Sequence, residues 1–190
     1  MTGPRRCALH VYIPMLYVFD LDSTLVEMYG VQPLAGVAAK LASLGDHGAG
    51  LAVATNQAGP AWRRETGDPK YPTPESLGMR FRQIAELIPV LADVPWFVAI
   101  GDDRLDLDSH DYEAMAEALK AAVGAIEIHV SAAPDWRKPE PGMLLAACDR
   151  WRVSPSGAIY VGDAVTDAEA AYAAGMSYIS AGRFFDLPAV

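Results

Sequence analysis

Short apolar runs alternate with helical patterns along most of the chain. Leu16–Phe19 is a β-prone run that stops at Asp20, and Gly50–Ala54 is a second buried run that stops at Thr55. Trp96–Ile100, Ile126–Val130, Ala158–Val161 and Met176–Ile179 read as four more strands. Between them, Leu34, Val37, Ala38, Leu41 and Leu44 recur at helical spacing, followed by Gly45 and Gly48 as stop signals. Leu77–Leu91 repeats the pattern behind Thr73-Pro74-Glu75, in which Thr can cap and Pro suits the first turn. Tyr112–Val123, Gly142–Trp151 and Asp167–Ala174 complete the predicted helices, the last closed by Gly175. Gly59–Pro74 and the acidic stretch Asp102–Asp111 read as loops.

Strands that alternate with helices predict right-handed crossovers, and so an α/β fold: a mostly parallel sheet with helices on both faces. The 190-residue length suits a single domain spanning 1–190, and 52% hydrophobic residues exclude a disordered chain. No run approaches the length of a membrane span, and the stretch from Leu9 to Phe19, interrupted by His10 and Pro14, does not read as a secretory signal. Two cysteines, Cys7 and Cys148, are too few for a disulfide framework, which predicts a reducing, cytoplasmic setting. The net charge of -9 disfavours nucleic acid and anionic membranes as partners, yet leaves room for a local phosphate site. Oligomeric state is not readable.

Where the polar residues fall changes the picture most. In doubly wound sheets, ligands bind beyond the carboxyl ends of the strands. Asp20 with Asp22, Thr55 with Asn56, and Asp163 all stand at such ends, and Lys138 precedes a helix. Residues far apart in sequence would therefore meet on one rim. Their chemistry suits phosphoryl transfer. Asp20 and Asp163 offer hard oxygen ligands for Mg²⁺, and a carboxylate can act as a covalent nucleophile. Asp22 can serve as general acid and then as general base, with Thr55 and Lys138 as donors to the phosphoryl oxygens. Gly101–Asp111 lacks the ligand spacing of a calcium-binding loop and reads as a solvated acidic rim.

In order, Asp20-Leu21-Asp22-Ser23-Thr24, Thr55, Lys138, and Gly162-Asp163-Ala164-Val165-Thr166-Asp167 resemble the four motifs of the haloacid dehalogenase superfamily of phosphohydrolases. The resemblance covers residues 16–179. Thr55-Asn56-Gln57-Ala58-Gly59 and Arg137-Lys138-Pro139-Glu140-Pro141-Gly142 are similar to its class III, which includes histidinol-phosphate, heptose-bisphosphate and polynucleotide 3′-phosphatases. That likeness implies a Rossmann-like core without a large cap domain, which fits the short interval between Thr24 and Leu34. It implies Asp20 as nucleophile and Asp22 as acid/base. Mg²⁺ would be held by Asp20, the backbone carbonyl of Asp22 and Asp163. Asp167 would orient the metal shell or Lys138, though it equally fits the first turn of a helix, where the dipole favours an acid.

Asn56, Arg63 and Arg64 are candidate contacts to the rest of a small phosphorylated substrate; for the two arginines a solvated loop is the competing reading. The zinc-binding loop of the sugar and histidinol phosphatases is missing: the region holds His110 and His129 but no cysteine, which points away from those two substrates. Two further functions stay open: a polynucleotide 3′-phosphatase, and a phospho-accepting signalling module. Asp22 separates the second from a hydrolase, since a module that only holds phosphate needs no acid/base beside its nucleophile.

Overall fold

The computed structural model describes residues 15–186. Six strands form one sheet in the order β4-β3-β2-β1-β5-β6. They are β1 Leu16–Phe19, β2 Gly50–Asn56, β3 Trp96–Ala99, β4 Ile128–Ser131, β5 Ala158–Gly162 and β6 Ser177–Ser180, and every neighbouring pair is parallel. The helices are α1 Val37–Asp46, α2 Gly59–Thr66, α3 Pro74–Leu87, α4 Ser109–Val123, α5 Gly142–Trp151, α6 Val165–Ala174 and α7 Ala181–Asp186. This is the α/β, Rossmann-like architecture expected. Cys7 and the stretch from Leu9 to Pro14 lie outside the described residues.

The order of the strands explains the layers. From β1 to β4 the chain steps one way across the sheet; it then crosses back and places β5 on the other side of β1. Right-handed crossovers taken in opposite directions put their helices on opposite faces. Accordingly Phe19, Val53 and Val98 face a core built with α1, α3 and α4. Val18, Ala54 and Phe97, one residue away in each strand, face α5 and α6 through Ala147 and Ala171. The period of two along each strand thus serves two cores at once.

Three sequence expectations are corrected here. Gly59–Pro74 is not wholly a loop, because Gly59–Thr66 forms α2 with Pro60 in its first turn. Its polar composition hides it: within this short helix only Pro60 and Ala61 are buried. The helix predicted to reach Leu91 ends at Leu87, and Pro89–Asp93 turns as a 3₁₀ segment, since Pro89 cannot donate to the helix ladder. The acidic stretch from Asp102 is not simply a solvated rim. Asp102 is buried, and α4 starts at Ser109 behind an Asp108 cap that accepts from the Asp111 amide.

Helices α3 and α4 approach closely at Gly78, where a Cβ would stand 2.4 Å from the Cβ of Ala122. Gly78→Ala must push the helices apart, an overpacking cost of about 1–3 kcal/mol. Thermal unfolding is expected to show a fall of several degrees, partly recovered by adding Ala122→Gly; an unchanged melting point would contradict the close approach.

Candidate active site

The strand order reverses between β1 and β5, which opens a crevice at their carboxyl ends. Asp20 follows β1 directly, and its amide donates to Val161 O on β5 (2.9 Å). Asp163 follows β5. Oxygen atoms of Asp20, Asp163 and Asp167 lie within 4.8 Å of one another. Thr24 Oγ1 donates to Asp163 Oδ1 at 3.4 Å.

Lys138 joins this cluster and is 5% exposed. Its Nζ is 2.5 Å from Asp20 Oδ1 and 2.7 Å from Asp167 Oδ1, with the Tyr160 hydroxyl at 2.8 Å and Ala54 O at 3.2 Å. Burial opposes its charge, but the two carboxylates outweigh that, and the ammonium is held above its ordinary pKa. Burial moves Asp20 the other way: despite Lys138, its pKa is pushed up to about 6, with the charge of Asp167 adding to the rise. Asp163 is raised by burial and by Asp167. Tyr160, fully enclosed beside these carboxylates, is pushed well above the usual phenol range by burial.

Asp167 spends both oxygens. Oδ1 faces Lys138 and Tyr160, and Oδ2 accepts from the amides of Asp163 (3.0 Å) and Ala164 (2.9 Å), fixing the turn that carries Asp163. Gly162 makes room for it, since a Cβ there would lie 2.4 Å from Oδ2. Three carboxylates around one ammonium leave negative charge uncompensated, and hard oxygen donors are the set a Mg²⁺ ion takes.

Asp22 has a different set of partners. Oδ1 accepts from the Tyr29 amide (2.8 Å) and Arg80 Nη2 (2.5 Å); Oδ2 accepts from Gln57 Nε2 (2.8 Å) and Arg80 Nη1 (3.4 Å). Gln57 also donates to Thr55 Oγ1 at 3.0 Å, tying the end of β2 to Asp22. Asn56 makes a reciprocal amide pair with the Lys138 backbone: Nδ2 donates to Lys138 O (3.0 Å) and Oδ1 accepts from Lys138 N (3.1 Å). The structure therefore gives Asn56 the task of holding the lysine segment against β2.

A cleft of about 830 Å³ opens beside Asp22, walled by α2, α3 and the 67–73 segment. It gathers Arg63, Lys70, Arg80, Arg104 and Arg137 around Trp62 and Tyr71, with Asp102 as its acidic lining residue. Arg63 lines it, but its Nη1 donates to the carbonyls of Pro69 (3.0 Å) and Tyr71 (2.8 Å). Arg64 is exposed and paired with Asp111 instead. Asp102 accepts from Arg104 and from Trp62 Nε1, with Arg137 at 3.7 Å, and the Arg104 bonds hold its carboxyl well below the usual range.

Arg80, Gln57, Tyr160 and Asp102 were not singled out from the sequence as site residues. Arg80 left one signal: it lies one turn from Leu77 and Ile84, both buried, so its charge sits on the apolar stripe of α3.

Residues 92–175 match the model of the haloacid dehalogenase-like hydrolases, a segment that includes Lys138, Asp163 and Asp167. The chain is similar to the D-glycero-beta-D-manno-heptose-1,7-bisphosphate 7-phosphatase of Pseudomonas putida, at 32% identity over 105 residues. That alignment covers 47% of this chain and 60% of the relative, so the chain spans less than two thirds of the protein it matches. Among solved structures, a protein described as a HAD-like phosphatase from Mesorhizobium loti is similar with a TM-score of 0.59 and 21% identity, over 92% of this chain and 74% of that one. A D,D-heptose 1,7-bisphosphate phosphatase from B. bronchiseptica, solved with magnesium and phosphate, aligns over 92% of this chain and 88% of that one at 21% identity, with a TM-score of 0.48. Only residues 20–36 separate β1 from α1, which leaves no space there for a cap domain. Asp20, Thr55 and Asp163 thus stand at strand ends with Lys138 beside them, part of the chain matches the haloacid dehalogenase-like hydrolases, and the fold is that of the Mesorhizobium loti protein.

Proposed function

We propose that the chain hydrolyses phosphate monoesters of small metabolites with Mg²⁺ as cofactor. One observation carries this reading: Asp20, at the switch point of the sheet, is buried against the Lys138 ammonium and grouped with Asp163 and Asp167. The Asp20 carboxylate attacks phosphorus, the ester P–O bond breaks, and the leaving oxygen takes the proton of Asp22 as a carboxylic acid. Water then attacks the phosphorus of the aspartyl-phosphate and gives its proton to Asp22; the bond to Asp20 breaks and inorganic phosphate leaves. Lys138 offsets charge at Asp20 throughout, and Thr55 stands at the end of β2 as a further donor to the phosphoryl group.

Asp20, Asp163 and the backbone carbonyl of Asp22 would hold the metal, which supplies Lewis-acid charge at the phosphoryl oxygens. Asp167, with its oxygens committed to Lys138 and to the Asp163 turn, acts on the metal only through those neighbours.

The cationic cleft supports a substrate with a second anionic group, and a sugar bisphosphate of the kind named for the Pseudomonas relative satisfies it. That substrate reading runs against the missing Cys/His loop: the one cysteine among the described residues, Cys148, is buried in α5. Among the described residues no helix is long and apolar enough to cross a membrane.

Turnover of 4-nitrophenyl phosphate with Mg²⁺, and its loss with chelator, tests the reaction. A panel of sugar mono- and bisphosphates beside a 3′-phosphorylated oligonucleotide then tests the substrate class. Metal-independent activity would overturn the proposed chemistry. A long-lived phospho-Asp20 without release would identify a phospho-accepting module, and preference for the oligonucleotide would identify end processing.

A further inference from the structure

The carboxylate of Asp22 is saturated. Its oxygens accept four hydrogen bonds, two of them from the Arg80 guanidinium, and the pair is well shielded, with side chains 13% and 14% exposed. A carboxyl group that must carry a proton to a leaving oxygen cannot do so while every acceptor position is filled by a donor. The strongest of those bonds are the charge-assisted ones to Arg80. Arg80 is the charged one of Asp22's three partners, and like Tyr29 and Gln57 it lines the cleft, where Arg63, Lys70 and Arg137 also stand. Its Nε meanwhile donates to Gly30 O (2.9 Å), so the same guanidinium holds down the segment carrying Tyr29, itself 81% exposed at the cleft mouth.

We propose that Arg80 is a positioning residue that latches Asp22, and that an anionic group of the substrate entering the cleft releases it. The exchange is a change of partner with no covalent step. Arg80 leaves one carboxylate for the substrate's second phosphate or carboxylate, and Asp22 is freed for proton transfer. Substrate with an anion at both ends then reaches a working site, whereas a compact monoester or water meets a latched one. The inference rests on the phosphatase reading above and adds a selection step, expressed in kcat, to a cleft that would otherwise affect KM alone.

The test compares glucose 1,6-bisphosphate with glucose 6-phosphate in the wild type and in Arg80→Gln. In the wild type the bisphosphate is expected to show a kcat at least tenfold higher. In Arg80→Gln that advantage is expected to shrink to within about twofold, chiefly because kcat on the monophosphate rises. A fall in kcat by the same factor for both substrates would show that Arg80 only props Asp22, and would overturn the latch. So would an undiminished bisphosphate advantage.

A second readout does not depend on turnover. In the Asp20→Asn protein, the ¹⁵N side-chain resonance of Arg80 is expected to shift on adding the bisphosphate and to stay in place with the monophosphate; equal responses to both, or none to either, would overturn the proposal. If Asp20→Asn leaves turnover intact, it is the phosphatase reading that fails; if Asp20 is required but Arg80 does not respond, the latch alone fails.

Discussion

Asp20→Asn is expected to abolish phosphate release and, in metal-free buffer at pH 8, to raise the melting temperature. The first half follows from the proposed role of the carboxylate as nucleophile: an amide cannot form the aspartyl-phosphate, and losses on the order of 10⁴-fold or more attend removal of a covalent nucleophile. The second half follows from its burial. The Asp20 carboxyl titrates near 6 in the folded protein against an ordinary 3.8. A carboxyl raised in this way favours the folded state fully below pH 4, and that contribution is lost as the pH climbs through 6. At pH 8 the ionised side chain therefore burdens the fold by up to about 3 kcal/mol, and the Asn variant is relieved of it.

A rise of several degrees at pH 8 should thus shrink to nothing near pH 4. Saturating Mg²⁺ should reverse the order, because ligand bound to the folded state stabilises the wild type more than a variant short of one carboxylate. Melting curves at the two pH values, with and without metal, check all of this. A variant that melts lower than the wild type at pH 8 in chelator would show that Asp20 is not the strained group it is taken to be.

Lys138→Met is expected to have the opposite effect on the fold. Its ammonium lies between two carboxylates, 2.5 and 2.7 Å away, in a place nearly closed to water. Removing one partner of a buried ion pair typically costs about 3–5 kcal/mol, because the remaining charge stays behind uncompensated. Here two like charges would remain, facing each other. Melting at pH 8 should fall by about 10 °C for a chain of this size. Activity should fall by at least 10²-fold, the scale seen when one donor to a developing charge is lost.

The double variant Asp20→Asn, Lys138→Met separates this cause from simple cavity formation. With one of the two carboxylates already neutral, the Met substitution should cost markedly less than in the wild type. Strictly additive effects would mean that the methylene stem of Lys138, and not its charge, is what the fold requires.

Most of this centre could be found without coordinates because it is made of strand ends. A buried strand announces itself as an apolar run, and the first polar residue after it is where a parallel sheet presents chemistry. Asp20, Thr55 and Asp163 were visible for that reason. Lys138 was not at a strand end; its place just before a helix drew attention to it, and its likeness to a family motif strengthened the reading. Arg80 belongs to no motif, and its partnership with Asp22 arises from the packing of α3 against the 21–33 segment, which no local pattern encodes. Asp102 was assigned to a solvated stretch on composition, although it comes only three residues after the buried strand β3; its position was the better guide. Helix α2 escaped because a helix with so little buried surface has no periodicity to show, and α7, at Ala181–Asp186, is too short for one.

The placement of β1 between β2 and β5 also governs how the site comes into being. Leu16 pairs with Ala158, far away in the sequence, and that pairing brings Asp20 beside Asp163. Contacts so distant in sequence form late, after the entropy of closing the intervening loop has been overcome. A partly folded form with only β1 to β4 assembled would hold the proposed nucleophile, Asp20, but neither Asp163 nor the Asp167 that braces Lys138. Under the proposed metal site, such forms would lack the paired carboxylates, so Mg²⁺ would bind the completed fold and favour the pairing of β1 with β5.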